Sequence, residues 1–203
     1  MNTTKVYVVL PCYNEEAVLY ETSARLLKLF DQMETAGQIG SESRIVFVDD
    51  GSKDNTWNMI AGLSQKHERI HGIKLAHNAG HQNALFAGLM TVKDECDCAI
   101  SIDADLQDDI NVIPQFVQKF DEGCDIVYGV RNKRDTDTFF KRTTAQGFYK
   151  FMKMMGVDVV YNHADYRLMS KRALEGLAEF SEVNLFLRGM VPLIGYQTDS
   201  VYY

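Results

Sequence analysis

The chain is poor in features that would cross-link it or anchor it in a bilayer. Its four cysteines, Cys12, Cys96, Cys98 and Cys124, fit no zinc-site spacing and no disulfide framework. They read as buried, reduced thiols in a cytosolic compartment. No stretch is long and apolar enough to cross a membrane. The N-terminal "KVYVVL" runs straight into proline and acidic residues, unlike a signal peptide. Positive charge is scarce: 21 Lys and Arg stand against 28 Asp and Glu, for a net charge of −7. A nucleic-acid binder would show a basic face instead, so none is expected as a partner. Two glycine-rich phosphate cradles are also missing. A P-loop needs G-x-x-x-x-G-K-[ST], and a dinucleotide fold needs G-x-G-x-x-G after its first strand. The first polar loop, "PCYNEE", has no glycine and is acidic.

What the chain does have is a repeating order of apolar runs. Its 203 residues suffice for one domain with a real core, and 46% apolar content is that of a globular protein. "KVYVVL" (5–10) reads as a buried strand stopped by Pro11. Val18, Leu19, Thr22, Leu26, Leu29, Phe30 and Met33 then recur at three and four, one face of a helix ending near Gly37. Further strands are predicted over 44–50, 70–76, 96–103 and 125–130. Helices are predicted after Asp54 or Asn55, from about 80 to 93, and from Pro114 through Phe120. Continuous apolar strands alternating with helices imply an α/β fold, a mostly parallel sheet with helices on both faces. Such sheets bind ligands at the carboxyl ends of their strands. The polar clusters fall there: "PCYNEE", "DDGS", "HNAG" and "DADLQDD".

The last cluster carries the most chemistry. Asp103 and Asp105 are two apart, so in an extended segment they share a face. Two carboxylates at a strand end suit a hard cation, Mg²⁺ or Mn²⁺, which adds phosphate oxygens and water to its shell. Gln107 continues the alternation as a neutral oxygen. Asp49 or Asp50 could accept hydrogen bonds from a nucleobase or a ribose, while Asp54 suits a helix cap. His77 and His81 suit either phosphate contacts or surface and capping roles.

"VVLPCYNEEAVL", "VFVDDGSKDNTW", "NAGHQNALFAGL", "SIDADLQDD" and "ADYRLMSKRAL", in that order, resemble the family 2 glycosyltransferases of GT-A fold. The likeness covers nearly the whole chain. It is strongest to the polyprenyl-phosphate branch, which includes dolichol-phosphate mannose synthases and bactoprenol glucosyltransferases. The resemblance implies a metal-dependent enzyme that inverts the anomeric carbon of a UDP- or GDP-sugar. Pro11, Tyr13, Glu15 and Asp50 would line the nucleotide pocket, with Asn78 and Gly80 close by. Asp103 and Asp105 would match the metal and nucleotide-sugar motif, with Gln107 as a further ligand. Arg131 and Arg134 would lie near the donor diphosphate. Asp165 and Arg167 would belong to the acceptor side. For a hydroxyl acceptor Asp165 is the candidate general base; for a lipid phosphate, already largely ionised, it would only orient. A transferase acting on a sugar hydroxyl, a nucleotidyltransferase and a non-catalytic nucleotide-sugar binder are the alternatives. A homo-oligomer is compatible with the sequence. Three positions depart from the family pattern: Asp109 replaces a usual proline, Ala164 a usual glycine, and His77 a usual arginine.

Charge is unevenly spread. Residues 131–153 hold seven Lys or Arg and two Asp, near +5, which leaves 14 basic and 26 acidic residues elsewhere, near −12. Phe139, Phe140, Phe148, Tyr149, Phe151, Met152 and Met155 interleave with that basic run. A basic amphipathic helix suits an anionic membrane surface, so the expected location is the cytoplasmic face of a membrane. Members of this branch continue with a basic loop and membrane helices. Residues 1–203 are therefore expected to form a single catalytic domain cut short before them.

Overall fold

A computed structural model describes residues 3–131, 163–180 and 186–203. Seven strands form one sheet: β1 (Val6–Cys12), β2 (Arg44–Asp49), β3 (Ile70–Lys74), β4 (Cys98–Ser101), β5 (Ile126–Val130), β6 (His163–Ser170) and β7 (Thr198–Tyr202). Among the described residues six helices accompany them: α1 (Leu19–Thr35), α2 (Thr56–Lys66), α3 (His81–Val92), α4 (Ile113–Asp121), α5 (Lys171–Ala178) and α6 (Leu187–Leu193). The sheet order is β3-β2-β1-β4-β6-β5-β7. All neighbouring pairs are parallel except those of β6, which runs against both β4 and β5.

The alternation of β1 divides the core. Val6, Val8 and Leu10 face one side, packed with Leu26 and Phe30 of α1, Ile60 of α2 and Phe116 of α4. Tyr7 and Val9 face the other, against Leu85 and Leu89 of α3, Leu174 of α5 and Met190 of α6. Each such side chain, taken fully from water, contributes roughly 1.5–3 kcal/mol before entropy is counted. Close approach matters most at Gly88 of α3, where a Cβ would stand 2.6 Å from Val9 and from Val48. That glycine lets α3, and the loop before it, sit directly over β1 and β2.

Pro11 does not stop β1, as its lack of an N–H suggested; the strand continues to Cys12. The carbonyl of Val9 faces β4 and accepts from Ile102 N. By strand alternation the amide position of Pro11 faces the same way. There β4 has already ended at Ser101, so no ladder bond is lost.

Candidate active site

The carboxyl ends of β1, β2, β3 and β4 lie along one edge of the sheet. Because β6 is reversed, its beginning reaches the same edge: Val130 at the end of β5 pairs with His163 at the start of β6. Asp165 is thereby brought beside the ends of the parallel strands.

The loops after β1 and β2 are stitched together. Asn14 N donates to Ser52 Oγ at 3.0 Å, and Lys53 N returns a bond to Asn14 Oδ1 at 2.8 Å. Glu15 N donates to Thr56 Oγ1, Glu16 N to Asp54 Oδ2, and Asn55 N to Glu16 Oε2. Asp50 is buried and accepts from Ala79 N at 2.6 Å and Gly80 N at 3.0 Å, so both its oxygens hold the loop before α3. Gly51, at φ +67°, lets that loop pass, since a Cβ there would meet Asn78 N at 2.6 Å. Asp49 is fully buried: Oδ1 accepts from Ser52 N, and Oδ2 has no hydrogen-bond partner among the described residues. Pro11 is buried at the end of β1 and Tyr13 is exposed beyond it.

A cavity of about 480 Å³ opens at this edge, lined by Gly80, His81, Gln82, Asn83, Asp103, Asp165 and Arg188. His81 stands between the two carboxylates, with Nε2 3.5 Å from Asp103 Oδ1 and 3.6 Å from Asp165 Oδ2. Its pKa is raised by Asp165 against the opposing effect of burial, with Asp103 adding to the rise. Asp165 also accepts from Gln82 Nε2 at 2.9 Å, Arg167 Nη2 at 2.5 Å and Arg188 Nη2 at 3.1 Å. Burial alone would push its carboxyl up; His81, Arg167 and Arg188 outweigh this and hold it well below the usual carboxylate range. Arg167 lies wholly inside the protein beneath Asp165, its pKa lowered by burial. It is a structural counter-ion, not a cavity-lining group.

Asp103, Asp105 and Glu15 crowd one another. Burial first, then the charges of Asp105 and Asp103, lifts the Glu15 carboxyl. Burial is also the largest influence lifting Asp103, with Asp108, Asp165 and Asp105 adding to it against His81. Asp103 Oδ1 is buried without a hydrogen-bond partner among the described residues. Like charges held this close fit a cation. Among the described residues no three His, Cys, Asp or Glu side chains converge as a complete metal site. A cation held by Asp103 and Asp105 would complete its shell with ligand oxygens and water, the usual habit of Mg²⁺. Gln107 is exposed, and its backbone amide closes a turn on Asp105 Oδ1 at 3.0 Å.

Arg131 does not line this cavity. Its Nε and Nη2 reach Asp108 Oδ1 at 2.9 and 2.6 Å. Arg134, and the basic segment beyond Arg131, lie outside the described residues. Asp108, Gln82, Arg188 and Tyr203 are site or near-site residues that sequence reasoning did not single out. Their only advance signal was the placing of Asp108 and Gln82 within motif stretches. Asp109, where the family pattern has proline, caps the 3₁₀ turn over Ile110–Val112 through Asn111 N, so the turn is firmly closed.

The family described as "Glycosyl transferase family 2" matches residues 7–177. An uncharacterized glycosyltransferase of Bacillus subtilis, YkoT, is 56% identical over 97% of this chain and 58% of its own length. A bactoprenol glucosyl transferase of Shigella phage SfX is 37% identical over 98% of this chain and 63% of its own. The chain thus spans about three fifths of the curated relatives it matches. Among solved structures, a Pyrobaculum calidifontis mannosyltransferase complexed with GDP-Man and Mn²⁺ superposes with TM-score 0.67 at 17% identity, over 98% of this chain and 55% of the other. Glucosyl-3-phosphoglycerate synthase of Mycobacterium tuberculosis, solved with Mn²⁺, UDP and phosphoglyceric acid, gives 0.64 at 17% identity over 98% and 68%.

Proposed function

The chain belongs to glycosyl transferase family 2, with a GT-A fold, and we propose that it moves a sugar from a UDP- or GDP-sugar to a polyprenyl phosphate. Asp165 carries this reading. A carboxyl held far below its usual pKa, under two arginines and a histidine, is a weak base near neutral pH. A sugar hydroxyl would need a base there. A phosphate monoester, with a second pKa of about 6, needs none. The 37% identity to a bactoprenol glucosyl transferase supports the same acceptor class.

In the proposed step an acceptor phosphate oxygen attacks the anomeric carbon in line. The bond from that carbon to the donor diphosphate breaks, and the configuration inverts. Asp165 acts by orienting His81 and Arg188, which neutralise the incoming phosphate. Asp103 and Asp105 would hold Mg²⁺ or Mn²⁺, which would supply positive charge for the leaving diphosphate. Glu15, Asp49 and the loop at Asn78–Gly80, fixed by Asp50, form the wall against which the nucleotide lies, with Pro11 and Tyr13 at its rim. Residues 1–203 are the catalytic domain in this reading. The basic, aromatic-rich composition of residues 131–153 suits an anionic membrane surface, where a polyprenyl phosphate would be presented. No helix among the described residues is long and apolar enough to cross one.

The test supplies UDP-glucose or GDP-mannose with a polyprenyl phosphate in detergent, with Mn²⁺ or with chelator. Expected is a lipid-phosphate sugar, lost with chelator and reduced about 100-fold or more in Asp105→Ala, as for loss of a main charge-stabilising group. Transfer to a glycan hydroxyl instead, with the lipid phosphate inert, would overturn the acceptor assignment.

A further inference from the structure

The loop that carries Asp103 and Asp105 turns sharply: Leu106 has φ +59°, a conformation that strains a residue with a side chain. What holds the turn is its far end. The Asp108 side chain is fully buried, and a single oxygen, Oδ1, takes Arg131 Nε, Arg131 Nη2 and the Tyr203 hydroxyl. Arg131 follows β5 and Tyr203 follows β7, whose backbone it extends by donating to Val130 O. One residue on, the carbonyl of Asp109 accepts from Tyr166 Oη at 3.0 Å. The Tyr166 ring packs on Phe116 at 4.7 Å and on Tyr203 at 5.5 Å between centroids. Tyr166 is also the immediate neighbour of Asp165. The loop is thus fastened at adjacent residues to β5, β6 and β7 at once.

We propose that Asp108, Arg131 and Tyr203 form a clasp that positions the loop bearing Asp103 and Asp105. Asp108 and Arg131 are positioning residues and not ligands of the donor. The assignment rests on the reading that Asp103 and Asp105 face the donor. It moves Arg131 away from the diphosphate contact that the family resemblance implied. Two strongly charged groups are already committed to each other inside the protein, and separating them would leave a buried carboxylate alone. Asp108 Oδ2 has no hydrogen-bond partner among the described residues, so Oδ1 alone carries the described contacts.

Amide hydrogen exchange on the unliganded protein tests the clasp without any donor, so its failure is distinct from failure of the transferase reading. Asp108→Asn and Arg131→Gln should each speed exchange across residues 103–112 by about tenfold, the fold-change for losing a charge-assisted hydrogen bond, and the milder Tyr203→Phe by less. Peptides from β2 and α1 should keep their rates. The double variant Asp108→Asn/Arg131→Gln should be no faster than either single. Unchanged exchange over 103–112, or acceleration spread evenly along the chain, would overturn the proposal. In Mn²⁺·UDP titrations, losses that multiply in the double variant would also overturn it, returning Arg131 to the diphosphate. Losses that merge support it.

Discussion

The two halves of the sheet solve the same problem by different means. Around β3, β2, β1 and β4, apart from Asp49 Oδ2 and Asp103 Oδ1, which have no hydrogen-bond partner among the described residues, polar side chains beyond the strand ends are held by backbone amides close by. Asp50 takes Ala79 and Gly80, Asn14 takes Lys53, and Asp54 takes Thr56 and Glu16. Around β6, β5 and β7 they are satisfied by other charged side chains. Asp165 pairs with Arg167 and Arg188, Asp108 with Arg131, and Asp125 with Arg172. The first arrangement makes a rigid wall of fixed dipoles, suited to a planar ligand held the same way each time. The second makes a balanced set of charges, suited to an anion that can substitute for a carboxylate within it.

The sharpest way to break the comparison is to remove one carboxylate from each half. Asp165→Ala leaves Arg167 charged and wholly buried, and should lower unfolding stability by about 3–5 kcal/mol. Asp50→Ala exposes two loop amides and should cost about 1–3 kcal/mol. Chemical denaturation of both variants decides; equal losses would erase the distinction. An effect like that of Asp50→Ala is expected at Gly51→Ala, where the left-handed φ and the 2.6 Å approach to Asn78 N both resist a methyl group. It should cost about 1–3 kcal/mol and, by crystallography of the variant, shift residues 77–80 while leaving β6 in place.

The smallest expected effect is a pH dependence whose sign differs between the groups. The folded pKa of Asp165 is depressed, so its stabilisation is complete above about 3.9 and fades as pH falls below that. Asp103 and Glu15 have raised pKa values, so their ionisation in the fold is unfavourable. That penalty grows as pH rises above the ordinary carboxylate range, and is complete once pH exceeds their raised values. Melting temperature measured against pH should therefore fall as pH drops below the ordinary carboxylate range, through Asp165, and decline as pH rises above it, through Asp103, Glu15 and, nearer neutrality, His81, whose raised pKa gives stabilisation that is lost as pH rises. Asp103→Asn should lessen the decline above that range, and Asp165→Asn the fall below it.

The same division decides what could be read from the sequence. The strands and helices of the first half announce themselves by local period and by turn residues next to them; even the clamp on the α3 loop comes from an aspartate in a quoted motif. In the second half β5 did so too, predicted over 125–130 and found at Ile126–Val130, but β6 and α6 did not. β6, "HADYRLMS", places Asp165 and Arg167 at buried positions, so its strand character is masked by charge that only the fold neutralises. α5 had a legible start, since Ser170 Oγ accepts from Ala173 N as a cap. α6 has Pro192 inside and little periodic signal. Asp108 finds its partners 23 and 95 residues away, a pairing no window of sequence can show. Pro11 misled because its missing N–H matters only if a neighbouring strand is there to receive it.

The reversal of β6 has a consequence for how such a protein can change over generations. β5 and β6 are antiparallel neighbours, so the chain leaves the sheet and returns to it at one edge. An insertion between antiparallel neighbours leaves their pairing as it is, and in loop-closure terms each doubling of a connection's length costs only about 0.6 kcal/mol. Parallel strands, by contrast, must be joined by crossovers that are themselves part of the core. Among the described strands, the β5–β6 pairing is therefore a point where sequence can be added while the ends of β1, β2 and β4 are inherited intact.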